Sequence, residues 1–281
     1  MKIGVVGLGL IGGSMAKAIK DRTAHTVCGV DVNNQVLLKA KMLGVVDEEI
    51  EPEQLGECQL VLIALYPQAT IDFIRTHAES LRGTTVIDCT GVKELIHEEV
   101  CPLAKEHGFT FIGGHPMAGI EHSGFEYSKI DLFDGASMIL TPEPGTNIEA
   151  LDEAKQFFLS LGFGTIQIAT PEEHDIVIAY TSQLAHVLSS AYVKSELALK
   201  NQGFSAGSFK DMTRVALLNE AMWTELFLAN SEHLANEVDE LADRLMHYAA
   251  AIRQRDEGRL SELLREGSKR KQFLTEREDD K

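Results

Sequence analysis

Short β-branched runs alternate with amphipathic segments over the first 168 residues, beginning with Ile3-Gly4-Val5-Val6. This alternation predicts a parallel sheet wrapped by helices. Strands are expected at 2–7, 26–31, 60–65, 84–88, 110–113, 136–141 and 164–168. Helical periodicity fills 36–42, 69–81 and 93–107, and a later segment, 148–161, follows the cap residue Asn147 and stops at Gly162.

The pattern changes at Thr170. Thr170-Pro171-Glu172-Glu173 combines a cap, a proline at the first helical position and a glutamate at the third, which together start a helix. No convincing strand follows. The stretch 176–199 is apolar nearly all the way round (Ile176, Val177, Ile178, Leu184, Val187, Leu188), so burial on several sides is expected. Further helices are predicted at 209–218, 221–255 and 259–273, and the charged residues 276–281 read as a frayed end.

A chain of 281 residues suggests two domains at ~150 residues each. The change of pattern puts their boundary between 168 and 169. Lys and Arg total 26 against 43 Asp and Glu, a formal charge of −17, which argues against phosphate-backbone and anionic-lipid partners. The 44% apolar and 25% charged fractions are those of an ordinary globular protein. No apolar run approaches the ~18 residues of a membrane span, and the N-terminus lacks the pattern of a signal peptide. Cys28, Cys58, Cys89 and Cys101 are scattered with no Cys-x-x-Cys pair, so they read as reduced thiols of a cytosolic protein, with no structural zinc site.

Gly7-Leu8-Gly9-Leu10-Ile11-Gly12 matches G-x-G-x-x-G between the first strand and a helix beginning near Ile11. Gly7 permits the tight turn, Gly9 lets the backbone approach a pyrophosphate, and Gly12 allows close packing of helix on strand. Asp31 ends the second strand nineteen residues after Gly12, near the ~20-residue offset of a carboxylate that binds ribose hydroxyls. The following Val32-Asn33-Asn34 holds no cation for a 2′-phosphate, so the cofactor is expected to be NAD rather than NADP. The first half is therefore predicted to be an α/β Rossmann-type nucleotide-binding domain.

Gly113-Gly114-His115-Pro116-Met117-Ala118-Gly119 is expected just after a strand, at the carboxyl edge where ligands bind in such sheets. His115 suits removal of a proton from an alcohol as hydride leaves the same carbon. The alternative is a histidine satisfied by loop carbonyls. Glu121 is an orienting carboxylate or a solvated loop charge. Ser182 and His186 share one face of an apolar helix, paired with each other, with a neighbouring helix or with a polar ligand. Arg214 pairs with Asp211 or clamps a substrate carboxylate.

Taken together, these residues resemble the prephenate dehydrogenases of tyrosine biosynthesis and their arogenate and cyclohexadienyl relatives. The specific pieces are Gly-Leu-Gly-Leu-Ile-Gly-Gly-Ser at 7–14, Gly-Gly-His-Pro-Met-Ala-Gly-Ile-Glu at 113–121, Ser182 with His186, and Phe-Lys-Asp-Met-Thr-Arg at 209–214 followed by Met222-Trp223. The resemblance implies an all-α helical dimerisation domain after the nucleotide half, a homodimer, and oxidative decarboxylation of prephenate to 4-hydroxyphenylpyruvate. Arogenate as substrate would give tyrosine. It further implies that His115 is the base and Arg214 the carboxylate-binding arginine. Ser182 and His186 would lie near nicotinamide and substrate, with Glu121 and Asp211 around the arginine.

Two positions depart from the family pattern. Gly91 stands where many members have serine, so that hydrogen bond must come from Thr90, water or nothing, and Gln183 stands where some have histidine. Two other classes compete. A β-hydroxyacid dehydrogenase would need a helix lysine with asparagine one turn on, whereas Lys194 is followed by Ala198. A non-catalytic NAD-binding redox sensor would leave His115 and Arg214 structural.

Overall fold

Each β-branched run becomes a strand in the computed structural model, which describes residues 1–279; positions 280 and 281, the tip of the stretch expected to fray, lie outside the described residues. The first half runs β1 (Lys2–Val6), α1 (Leu10–Arg22), β2 (Thr26–Val30), α2 (Asn34–Met42), β3 (Glu48–Glu49), β4 (Leu60–Ile63) and α3 (Pro67–His77). It continues with β5 (Thr85–Asp88), α4 (Glu94–His107), β6 (Thr110–Pro116), β7 (Ser137–Pro142), α5 (Ile148–Ser160) and β8 (Thr165–Ile168). The strand order is β3-β2-β1-β4-β5-β6-β7-β8, and every pairing is parallel except β6 with β7.

Successive strand residues feed two different cores. Ile3, Val5, Leu62 and Ile87 enter the layer that holds Met15 and Phe158, while Val6, Val61, Ile63 and Val86 enter the layer that holds Ile74 and Val100. Burial on both faces is why these strands read as continuous apolar runs rather than alternating ones. The order reverses between β1 and β4, and the crevice beyond their carboxyl ends is where ligands bind in sheets of this topology.

Two strand expectations change. β3 is two glutamates held by backbone pairing to β2, which no side-chain pattern could announce. β6 runs three residues beyond the predicted 113, because antiparallel β7 pairs His115 with Ile139 and Pro116 with Met138. His115 therefore stands inside the strand, not in the loop after it.

The chain then turns helical with α6 (Pro171–Ile178), a π-helical turn at Ala179–Gln183, α7 (Leu184–Val193), α8 (Gly207–Thr213) and α9 (Glu220–Ala229). Thr170 caps α6 in a complete capping box with Glu173. The segment 209–218 stops at Thr213. The predicted helix 221–255 breaks at Asn230 (φ −122°, ψ 35°) into α9 and α10 (Ser231–Gln254), because Asn230 Nδ2 donates to Asp175 O and Gln183 Oε1, both at 2.9 Å.

The stretch 176–199 is buried on one side only. Ile178 and Leu184 are interior, but Ile176, Val177 and Tyr180 are 44%, 54% and 58% exposed. Contrary to the reading of the sequence as runs, the 23-residue helical stretch Pro171–Val193 is long and apolar enough to cross a membrane, by length and composition alone. A helix packed on several sides in a globular protein has the same composition.

The chain divides into two compact units, Met1–Ser231 and Glu232–Lys281. In the second, α10 and α11 (Glu257–Asp279) meet at Arg255, whose φ is +51°, and Tyr248 Oη donates to Leu263 O at 3.1 Å.

Candidate active site

The nucleotide cradle is built from three glycines with different duties. Gly7 has φ +84°, and a Cβ there would lie 2.7 Å from the Ala64 carbonyl at the end of β4. A Cβ on Gly12 would overlap the Gly7 carbonyl, whereas one on Gly9 would meet nothing within 4 Å. The open space above Gly9 is where a pyrophosphate can reach the backbone. Gly9 also N-caps α1 without any side-chain hydrogen bond, and no acidic residue occupies the first turn. Leu10, Ile11 and Gly12 thus present free N–H groups and the positive end of the helix dipole to an anion. Asp31 is fixed beside this turn, Oδ2 accepting from Leu8 N at 2.7 Å and Oδ1 from Asn33 N at 2.8 Å. The cradle fits a dinucleotide.

His115 ends a relay that begins at α4. Asp175 accepts the backbone N–H groups of Lys93 (2.8 Å) and Glu94 (2.9 Å), so its carboxylate caps the N-terminus of that helix. Asp175 Oδ1 lies 2.6 Å from His174 Nδ1, and His174 Nε2 lies 2.9 Å from His115 Nδ1. Donor bookkeeping sets the tautomers. The carboxylate takes the His174 Nδ1 proton, His174 Nε2 must then accept from His115 Nδ1–H, and His115 Nε2 is left with an unshared electron pair. That pair faces Gly91, where a Cβ would sit 3.8 Å from His115 Nε2 and 3.4 Å from Leu226. Burial, then the neighbouring His174 and Lys93, hold the His115 pKa well below the ordinary 6.5. His174 is also lowered, chiefly by burial against the opposing pull of Asp175.

Beneath the relay lies a fully buried ion pair, Lys93 with Asp88. Asp88 Oδ2 also accepts from Thr90 N (2.9 Å) and Thr90 Oγ1 (2.5 Å), and its Oδ1 accepts from Gly114 N at 3.1 Å. The Thr90 hydroxyl lies 2.9 Å from both the Val92 carbonyl and Lys93 Nζ, so it is committed to this network. Of the three sources left open for the family serine's hydrogen bond, Thr90, water or nothing, these contacts weigh against Thr90. Gly91 keeps the space beside His115 open.

On the helical side, His186 Nδ1 lies 2.8 Å from the Ser182 backbone carbonyl, not its hydroxyl, and the ring lies against Trp223 with centroids 3.9 Å apart. Burial lowers the His186 pKa. Gln183 Nε2 donates to Leu226 O at 3.3 Å, which ties the π-turn to the helix that closes over Gly91. Arg214 ends α8 and lies 3.7 Å from Glu121 in the loop after β6, both partners exposed. Glu121 thus takes the place that sequence alone left open to Asp211.

His174, Asp175, Asp88 and Lys93 were absent from the residues singled out in the sequence. One signal was present: two adjacent titratable residues at the start of an apolar helix need buried partners.

Residues 15–167 match the model of the prephenate dehydrogenase nucleotide-binding domain, and residues 170–266 match that of the prephenate dehydrogenase dimerization domain. A prephenate dehydrogenase of Lactococcus lactis is 30% identical over 286 residues, covering 97% of this chain and 77% of its own. The crystal structure of Aquifex aeolicus prephenate dehydrogenase with hydroxyphenyl propionate and NAD+ is 29% identical, with a TM-score of 0.83 and 98% coverage of both chains. Synechocystis arogenate dehydrogenase is likewise 29% identical with a TM-score of 0.83, covering 97% of this chain and 100% of its own. With both halves matched in sequence, the chain belongs to the prephenate dehydrogenase family.

Proposed function

We propose that the chain catalyses NAD-dependent oxidative decarboxylation of prephenate to 4-hydroxyphenylpyruvate, a step of tyrosine biosynthesis. The carrying observation is the relay Asp175–His174–His115, which leaves His115 Nε2 free to take a proton beside open space at Gly91. Bound NAD supplies the hydride acceptor. His115 Nε2 takes the proton of the ring hydroxyl as the carbinol carbon loses hydride. The imidazolium that forms is opposed by the Asp175 carboxylate through His174. Loss of CO2 from the opposite ring carbon then restores aromaticity, so the protein must supply orientation and one base. Arg214, steadied by Glu121, offers its two-pronged guanidinium to a substrate carboxylate. Ser182 and His186 line the nicotinamide side in this reading, and Asp31 takes the ribose hydroxyls.

Production of NADH from prephenate and NAD, followed by absorbance, tests the proposal; no turnover with either prephenate or arogenate would sink it. Arogenate is the second substrate to try, because the Synechocystis relative is named an arogenate dehydrogenase. Arg214→Ala is expected to raise the substrate KM roughly 10–100-fold, the worth of a hydrogen bond to a charged group, with the KM for NAD nearly unchanged. A change confined to NAD would move Arg214 to the cofactor pocket.

The same reading assigns 1–168 to nucleotide binding and 169–281 to substrate binding and dimerisation, in a cytoplasmic enzyme whose four thiols stay reduced. A homodimer is supported by the half-covered helices, where Val177, Tyr180 and Tyr192 stand exposed. Light scattering on a gel-filtration peak is expected to give twice the 30.9 kDa chain mass. A single-chain mass at micromolar concentration would overturn it.

A further inference from the structure

Away from the relay, on the far side of Gly113, three potential ligand atoms converge. His97 and Cys101 are one turn apart on α4, and Glu143 follows β7. Their ligand atoms all lie within 4.8 Å of one another, with His97 and Cys101 buried and Glu143 partly so. Cys101 Sγ is 3.5 Å from His97 Nδ1, and Glu143 Oε1 is 3.3 Å from the same nitrogen.

The two separations from His97 Nδ1 are compatible with ligands sharing one ion. With Zn–S near ~2.3 Å and Zn–N and Zn–O near ~2.0–2.1 Å, a tetrahedral ion holds sulfur and nitrogen about 3.5 Å apart and nitrogen and oxygen about 3.3 Å apart. The surroundings are also those of a ligating imidazole, whose second nitrogen is usually tied to a fixed partner. His97 Nε2 lies 2.9 Å from Thr141 Oγ1, which is fully buried. A Cβ on Gly113 would lie 2.6 Å from His97 Nε2 and overlap the Thr141 hydroxyl, so the glycine makes room for this contact.

We propose that His97 Nδ1, Cys101 Sγ and Glu143 Oε1 form a three-ligand site for a divalent transition ion of the zinc type, with the fourth position open on the solvent side. Thiolate and carboxylate together carry the two negative charges that balance such an ion. Binding replaces the Cys101 S–H bond with a sulfur–metal bond and releases that proton to solvent. Two cations bear on the set: Lys105 reaches the other oxygen of Glu143 at 3.3 Å from a side chain that is 76% exposed, so it can swing away, while the buried Lys93, four residues before His97, is neutralised by its own partner Asp88. The absence of any Cys-x-x-Cys pair argued against a zinc site in the sequence. This set instead joins one helical turn to a strand end 46 residues further on.

Zinc titrated against a chromophoric chelator into the full-length, chelator-treated protein tests the site. One ion per chain is expected, with affinity lowered at least about tenfold by Cys101→Ser and by Glu143→Gln, since even outer-shell losses at such sites cost about 10–100-fold. Cys28→Ser should bind as the wild type does. Cobalt in place of zinc should give the intense visible bands of a four-coordinate ion with a thiolate charge-transfer band. Glu143→Gln and the cobalt spectrum decide the matter should Cys101→Ser fold poorly. No stoichiometric uptake, uptake unchanged in Glu143→Gln, loss of uptake in Cys28→Ser, or a six-coordinate cobalt spectrum would each overturn the proposal.

Discussion

Replacing His115 with asparagine is expected to cut turnover by about 10²–10⁴-fold, the usual contribution of a positioned base, while leaving NAD affinity unchanged. Asparagine keeps a polar side chain toward His174 but has no nitrogen that can accept a proton at neutral pH. The cradle at Gly7, Gly9 and Gly12 is formed by the turn from β1 into α1, so cofactor binding has no reason to change. The pH profile supplies a second reading of the same group. Burial lowers the His115 pKa, so the neutral, proton-accepting form persists to a lower pH than in an exposed histidine. In the wild type, kcat/KM should therefore be flat through neutral pH and fall on the acid side, with a midpoint below the ordinary histidine value of about 6.5. An acid limb centred at or above that value, or turnover in His115→Asn close to wild type, would remove His115 from the role of base.

Legibility in the sequence followed the range of the interactions. The strands could be read because each is buried on both faces, so its own residues carry the signal. The glycine cradle and Asp31 could be read because their duties are local backbone duties at fixed offsets. His115 was visible as chemistry at a strand end, but the relay that sets its tautomer was not, because His174 lies 59 residues away and the backbone groups that hold Asp175 lie more than 80 away. The helix break at Asn230 has the same origin. Its side chain answers the buried Asp175 carbonyl, 55 residues back, which no periodicity within 221–255 contains. The partners of Thr90 went unread for a different reason. A hydroxyl two residues from a carboxylate finds that carboxylate before any ligand, and Asp88 holds it at 2.5 Å.

The largest effect on stability is expected at Lys93, whose side chain is wholly excluded from solvent and paired with the equally buried Asp88. Lys93→Met keeps the aliphatic stem and removes the charge. The Asp88 carboxylate then retains only the Thr90 and Gly114 donors in a site without water contact. Breaking a buried pair from one side costs about 3–5 kcal/mol, because an uncompensated charge remains, and for a chain of this size that lowers Tm by roughly 6–20 °C. Adding Asp88→Asn should recover part of the loss, since no lone charge is then buried, so the double variant should be less damaged than the sum of the two single changes. The pair also bears on catalysis. Asp88 Oδ1 holds the amide of Gly114, the residue before His115, and the backbone N–H of Lys93 is one of the two that fix Asp175. Both ends of the relay are therefore anchored on the same buried charge pair, and a variant that stays folded at low temperature should still turn over more slowly. Thermal melts within 1 °C of wild type, or a double variant whose loss equals the sum of the singles, would show that Lys93 and Asp88 do not act as a pair.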